Sequence, residues 1–280
     1  MIYQIIDLPA QFPALKEYKS EAKLYAYARD NSEEMHPSQA LPAIIIFPGG
    51  GYTFTSDREA EPVALHFLAQ GYQAFVLRYT CAPAQFPTQL VEAAAAIHYL
   101  RMNAADFSID VDKIAVMGFS AGAHVAGSIS CLWDNAAVCK ALSVKQPSEL
   151  RPNAACLCYP VITSGKFAHQ DSFVQLLGEN PDKELFHMLS LENSVRSDMP
   201  PVFIWHTADD ACVPVQNSLL LVNALLEKNV PCELHIFNQG PHGLSLASPI
   251  TSNDDSPSLV NPHVAQWTGL FSQWLDEILN

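Results

Sequence analysis

The sequence predicts an α/β protein built on a mostly parallel central sheet with helices on both faces. Three observations predict it. Short apolar runs of strand length recur along the chain, stretches with helical spacing separate them, and the glycine-rich motifs fall where runs end. Residues 22–29 alternate, with Leu24, Ala26 and Ala28 set against Lys23, Tyr25 and Tyr27, and read as an early antiparallel strand. Residues 43–47 (AIIIF) are continuously apolar, as suits a strand buried on both faces, and glycines end them. A helix is expected over 57–70, with Asp57 near its start and Gly71 just past its end. The next strand is 73–79. Leu90, Ala93, Ile97 and Leu100 recur at 3–4 spacing and predict a helix over 87–103. Residues 113–118 (KIAVMG) form another buried strand, followed by a helix over 120–133. A strand at 154–159 closes at Pro160. Residues 161–200 are less regular, with helices expected around 173–177 and 182–191. Strand 202–206, helix 215–228 and strand Cys232–Phe237 follow. Residues 245–262, rich in Ser, Asn, Asp and Pro, read as a loop. Val264, Trp267, Phe271, Trp274 and Ile278 mark a final amphipathic helix. Ligands of such sheets bind at the carboxyl ends of the strands, where every motif below falls.

Composition narrows the partners. The 280 residues are 49% hydrophobic and 16% charged, which fits one large domain over 1–280. Lys+Arg number 15 against 29 Asp+Glu, for a formal net charge of −14 and a pI of about 5.0. Such a surface repels nucleic acid and anionic lipid, so neither is expected as a partner. The first eight residues lack a basic stretch followed by a long apolar run, and the longest apolar run is too short to span a bilayer. The seven cysteines show no C-x-x-C spacing and read as reduced thiols packed in the core of a cytoplasmic protein. Cys156 and Cys158, two apart on an expected strand, are read as pointing to opposite faces. No histidine pair has metal-ligand spacing with a carboxylate nearby, so neither a catalytic metal nor a cofactor is expected.

Gly118-Phe119-Ser120-Ala121-Gly122 matches G-x-S-x-G between an expected strand and an expected helix. The turn there is tight and the serine strained, so small neighbours are needed. Ser120 Oγ is thereby raised clear of the sheet at the positive end of a helix. That makes Ser120 the candidate nucleophile. Pro48-Gly49-Gly50-Gly51-Tyr52 ends the AIIIF strand. A tetrahedral oxyanion needs preorganised N–H donors with no side chain in the way, and the amides of Gly50, Gly51 and Ala121 are the candidates. A glycine-rich loop after a strand also suits phosphate, but no Lys follows as in a P-loop and G-x-G-x-x-G is absent.

The order Ser…Asp…His suits this architecture. Asp209 and Asp210 compete for the acid after the strand ending at His206, and Asp209 reads as a solvated or turn-capping carboxylate. His242, in Gly240-Pro241-His242-Gly243, sits in a loop just past a strand end, free to reach Ser120 with one ring nitrogen and Asp210 with the other. His235 lies within a strand and His263 starts the last helix. His124, one turn after Ser120, is read as packing behind it, His206 as hydrogen-bonding near the acid loop, and His66 and His98 as helix residues.

With PGGGY, GFSAG, D-x-x-V-P and G-P-H-G in that order, the chain resembles the α/β-hydrolase esterase/lipase family from about residue 20 onward. Within it the chain looks most like small bacterial carboxylesterases and acetyl-xylan-esterase-like enzymes that carry PGGGY. Pro48 stands where the hormone-sensitive-lipase branch has His. The resemblance favours Asp210 as the acid, since only it has the D-x-x-V-P spacing to Val213-Pro214. It implies a serine hydrolase acting through an acyl-enzyme on a small-molecule ester, with short acyl groups and sugar alcohols expected. It also implies that 161–200 form a small cap. Tyr52 and Pro160 are candidate pocket walls, with core packing as the alternative for each. Two other readings stay open: a peptidase of the same fold, and a binding protein on a non-catalytic scaffold. Oligomeric state is open too, a homo-oligomer included.

Overall fold

The computed structural model describes residues 1–280 except Asn31, Glu33, residues 35–39, Asp254 and Asn280. Eight strands form one sheet: β1 (Ile2–Asp7), β2 (Lys23–Ala28), β3 (Leu41–Phe47), β4 (Gln73–Arg78), β5 (Ile109–Phe119), β6 (Ala154–Cys158), β7 (Val202–Thr207) and β8 (Cys232–Phe237). Their order is β1-β2-β4-β3-β5-β6-β7-β8. β2 pairs antiparallel with β1 and β4, and every pairing from β4 to β8 is parallel. The helices are α1 (Leu8–Gln11), α2 (Glu61–Ala69), α3 (Thr88–Met102), α4 (Ala121–Leu132), α5 (Ala136–Ala141), α6 (Gln170–Leu177), α7 (Lys183–Met188), α8 (Gln216–Glu227) and α9 (Trp267–Leu279).

Alternation along the central strands sorts their side chains into two cores. Ile45, Phe47, Val116, Leu157 and Ile204 pack with residues of α3, α4 and α8. Ile44, Ile46, Met117, Phe203 and Trp205 pack with Val63 and Phe67 of α2 and with Trp267 and Phe271 of α9. Strands buried on both faces must be apolar throughout, which is why AIIIF and VFIW carry no alternation.

Several expectations need correction. β1 has no counterpart among the expected strands, because it is an edge strand with only Ile6 of its six residues buried and hence no apolar period. The helix expected over 57–70 is two pieces. A 3-10 turn at Asp57–Glu59 breaks at Ala60, and α2 starts at Glu61 with Pro62 in its first turn, where the missing N–H costs nothing. Cys156 and Cys158 share a face, as residues two apart on a strand must, and their sulfurs lie 3.8 Å apart in one core. All seven cysteines are free.

Glu92 of α3 is fully buried, and its carboxylate accepts from the amide and hydroxyl of Thr80. Burial outweighs these bonds and pushes its pKa up to about 7. A carboxyl raised on folding adds stability at pH values below its unfolded pKa and loses it as pH climbs through the folded value. The wild-type melting temperature should therefore fall between pH 5 and pH 8 by several degrees more than that of Glu92→Gln. Parallel pH profiles for the two proteins would contradict this.

Candidate active site

The site lies at the carboxyl ends of β3, β5, β7 and β8, where the loops that follow these four strands meet. Ser120 joins β5 to α4 with φ 54° and ψ −119°, a strained conformation for a residue with a side chain. The flanking glycines explain how the turn closes. A Cβ on Gly118 would lie 2.2 Å from the Gly122 carbonyl oxygen, and one on Gly122 would lie 2.1 Å from that of Phe47. G-x-S-x-G is thus a steric requirement of this turn.

His242 stands in the loop after β8. Its Nε2 is 2.8 Å from Ser120 Oγ and its Nδ1 is 2.6 Å from Asp210 Oδ2. With a carboxylate as partner, Nδ1 carries the proton, so Nε2 presents its lone pair to the serine hydroxyl. Asp210 Oδ1 accepts from the amides of Cys212 and Val213, each at 2.9 Å. This is why the acid has three-residue spacing to Val213: the turn hydrogen-bonds to its own first carboxylate. His206, fully buried on β7, donates from Nε2 to the Val213 carbonyl at 2.9 Å, and that nitrogen lies 3.4 Å from Asp210 Oδ2. Burial alone would raise the Asp210 pKa, but His206, His242 and the Val213 amide outweigh it and hold the carboxyl well below its ordinary range. Asp209 is exposed and accepts instead from the Gly240 amide at 2.7 Å, anchoring the loop that carries His242.

Gly50 and Gly51 lie beside Ser120 on the wall of a cavity of about 370 Å³. Gly50 has φ 136°, and a Cβ there would lie 2.1 Å from the Phe54 carbonyl oxygen. Its own carbonyl accepts from Thr53 and Phe54, so the loop is held by acceptors. Among the described residues, the amides of Gly50, Gly51 and Ala121 make no hydrogen bond to protein, so they remain available to an oxyanion.

Tyr52 and Pro160, the expected pocket walls, are not on this cavity's wall. Tyr52 is 2% exposed, and its hydroxyl donates to His124 Nδ1 at 2.6 Å; His124 Nε2 donates to the Leu189 carbonyl at 2.8 Å. His124 is therefore packed behind the Ser120 turn, and burial pulls its pKa down to about 4. The wall includes His169 and Asp171 at the start of α6, together with Phe54, Arg58 and Cys212, none of which the sequence marks. His169 Nδ1 caps α6, 3.4 Å from the Ser172 amide and 2.8 Å from its hydroxyl. Burial and the neighbouring His242 keep its pKa below the ordinary value, so the neutral ring carries its proton on Nε2. Among the described residues no group of three His, Cys, Asp or Glu could hold a metal ion.

Residues 32–225 match the BD-FAE family. Endo-1,4-beta-xylanase B of Butyrivibrio fibrisolvens is 37% identical over 246 residues, covering 83% of this chain and 37% of that protein. A solved acetyl ester-xyloside bifunctional hydrolase of Caldicellulosiruptor lactoaceticus is 41% identical, covers 92% of this chain and 88% of that chain, and superposes with a TM-score of 0.80. MGS-M1, a solved alpha/beta hydrolase from a Medee basin deep-sea metagenome, is 36% identical, covers 100% and 98% of the two chains, and gives 0.77. The fold is that of the α/β hydrolases. The chain spans 37% and 42% of the length of the first two curated relatives it matches.

Proposed function

The chain belongs to the BD-FAE family, and from that premise we propose that it is a serine carboxylic ester hydrolase cleaving short, acetyl-like acyl esters, those of sugars among them. The observation that carries the reading is the hydrogen-bonded order of Ser120 hydroxyl, His242 imidazole and Asp210 carboxylate beside three unpaired amides. Ser120 Oγ attacks the ester carbonyl while its proton passes to His242 Nε2. Asp210 stabilises the imidazolium. The carbonyl oxygen, now an anion, sits against the amides of Gly50, Gly51 and Ala121. The C–O bond to the alcohol breaks as His242 returns the proton to the leaving oxygen. Water then gives its proton to His242 and attacks the acyl-enzyme, and the acid departs as Ser120 recovers its hydrogen.

The acetyl ester-xyloside hydrolase among its structural relatives supports acetylated sugars as substrates. A cavity of about 370 Å³ supports short acyl groups. Residues 161–200 are read as a small cap, because they supply His169 and Asp171 to the cavity wall. Seven cysteines without C-x-x-C spacing fit a reducing compartment such as the cytoplasm.

The test is a panel of p-nitrophenyl esters and acetylated xylo-oligosaccharides, with a fluorophosphonate probe for the nucleophile. Acetyl to butyryl esters should exceed the palmitoyl ester in kcat/KM by at least about tenfold. Equal turnover of the long chain would contradict the short-acyl reading. Cleavage of an aminoacyl-naphthylamide without ester cleavage would favour a peptidase, and absence of probe labelling would favour a binding protein.

A further inference from the structure

The turn at Asp57–Glu59 does something its sequence does not announce. Glu59 is 3% exposed, and no cation pairs with it among the described residues. A carboxylate taken out of water is costly unless hydrogen bonds offset its lost hydration. Here each oxygen holds a different part of the site. Oε2 accepts from the Gly49 amide at 2.7 Å, at the end of the strand that leads into Gly50 and Gly51. Oε1 accepts from the Tyr159 hydroxyl at 2.6 Å. That hydroxyl in turn accepts from the Ser245 amide at 2.9 Å, in the loop that carries His242. The Tyr159 ring meets the His242 imidazole edge-on, 5.0 Å between centroids. The same turn grips the His242 loop a second time. Arg58 Nη1 donates to the Gly243 carbonyl at 2.9 Å, and Ser245 Oγ donates to the Arg58 carbonyl at 2.7 Å. The nucleophile is close by, since a Cβ on Gly49 would lie 2.7 Å from Glu59 Oε2 and 3.0 Å from Ser120 Cβ.

We infer that Glu59 is a positioning residue of the hydrolytic site: its carboxylate ties the oxyanion loop to the loop carrying His242 and so sets the gap between the oxyanion amides and the imidazole. The inference rests on the hydrolase reading above. Neither loop belongs to a strand at this point, so without the tie their separation rests on the Arg58 contacts to the His242 loop and on the loops' own turns. A displacement of about 1 Å between reacting groups costs on the order of 10²-fold in rate. The loss falls on the transition state, where both groups act on one carbon, and leaves ground-state binding of a small ester nearly untouched.

The experiment measures kcat and KM for p-nitrophenyl acetate, the rate of fluorophosphonate labelling and the thermal melt. It compares wild type, Glu59→Ala, Glu59→Gln, Tyr159→Phe and, as a buried-carboxyl control outside the site, Glu92→Gln. Glu59→Ala should lower kcat by about 10²-fold with KM within about threefold, and labelling should slow in parallel. Glu59→Gln, which keeps an acceptor for the Gly49 amide, should recover at least about tenfold of that loss. Tyr159→Phe, which keeps the ring and removes only the hydroxyl, should lower kcat by about tenfold. Glu92→Gln should keep wild-type kcat. A folded Glu59→Ala with wild-type kcat overturns the inference. So does a Glu59→Gln no more active than the alanine variant, or a loss that Glu92→Gln matches. If Glu59→Ala does not fold, a folded Tyr159→Phe with wild-type kcat overturns it. Wild type that the fluorophosphonate does not label would instead sink the hydrolase reading itself.

Discussion

Replacing Ser120 by alanine is expected to lower kcat/KM for a short acyl ester by at least ~10³-fold and to abolish fluorophosphonate labelling, with the fold intact. The side chain lost is one oxygen in a turn whose shape comes from its neighbours. Gly118 and Gly122 close the turn, and the Ser120 amide bonds to the Cys158 carbonyl at 3.0 Å whatever the side chain. Relief of a positive φ is not at stake, because alanine is strained there as well. What disappears is the atom proposed to form the acyl-enzyme. His242 and the three amides remain and can assist attack by water directly, so a residual rate above the uncatalysed reaction is expected. Equal melting curves combined with near-wild-type turnover would show that another group carries the chemistry.

Asp210→Asn is expected to cost on the order of 10³- to 10⁴-fold in kcat, and Asp209→Asn less than about tenfold. The two carboxylates are adjacent in sequence and face different partners. Asp210 Oδ2 receives the His242 Nδ1 proton, while Asp209 receives the Gly240 amide. An asparagine at 210 can turn its NH2 toward Nδ1, which forces the ring proton onto Nε2 and leaves no lone pair for Ser120. It also removes the charge that stabilises the imidazolium. The amides of Cys212 and Val213 still find a carbonyl acceptor in that variant, so the turn should survive. An asparagine at 209 still accepts from Gly240. A reversal of the two effects in steady-state assays would move the acid to Asp209.

Much of the site is legible because its motifs are local. G-x-S-x-G encodes a turn that only small residues can close, and D-x-x-V encodes a carboxylate that caps its own turn. PGGGY marks a strand end where an amide must be reachable. Each can be read from five or so consecutive residues. β1 escaped because an edge strand exposed on most of its residues carries no period. Tyr52 stayed open between pocket wall and core because it sits beside Gly50 and Gly51 in sequence; with φ 63° its ring packs against His124 and Tyr79.

By itself the sequence determined the α/β layering, the strand ends where chemistry gathers, and the serine, histidine and acid to examine. These depend on periodicity and on turn sterics, which act between near neighbours. Only the tertiary structure decided that Glu59, which falls at the start of the helix expected over 57–70, is buried between two loops. It alone also put His169 on the cavity wall. The Glu59 carboxylate joins partners 10 and 100 positions away in the chain, and burial of a polar group by such distant partners leaves no pattern in the residues that flank it.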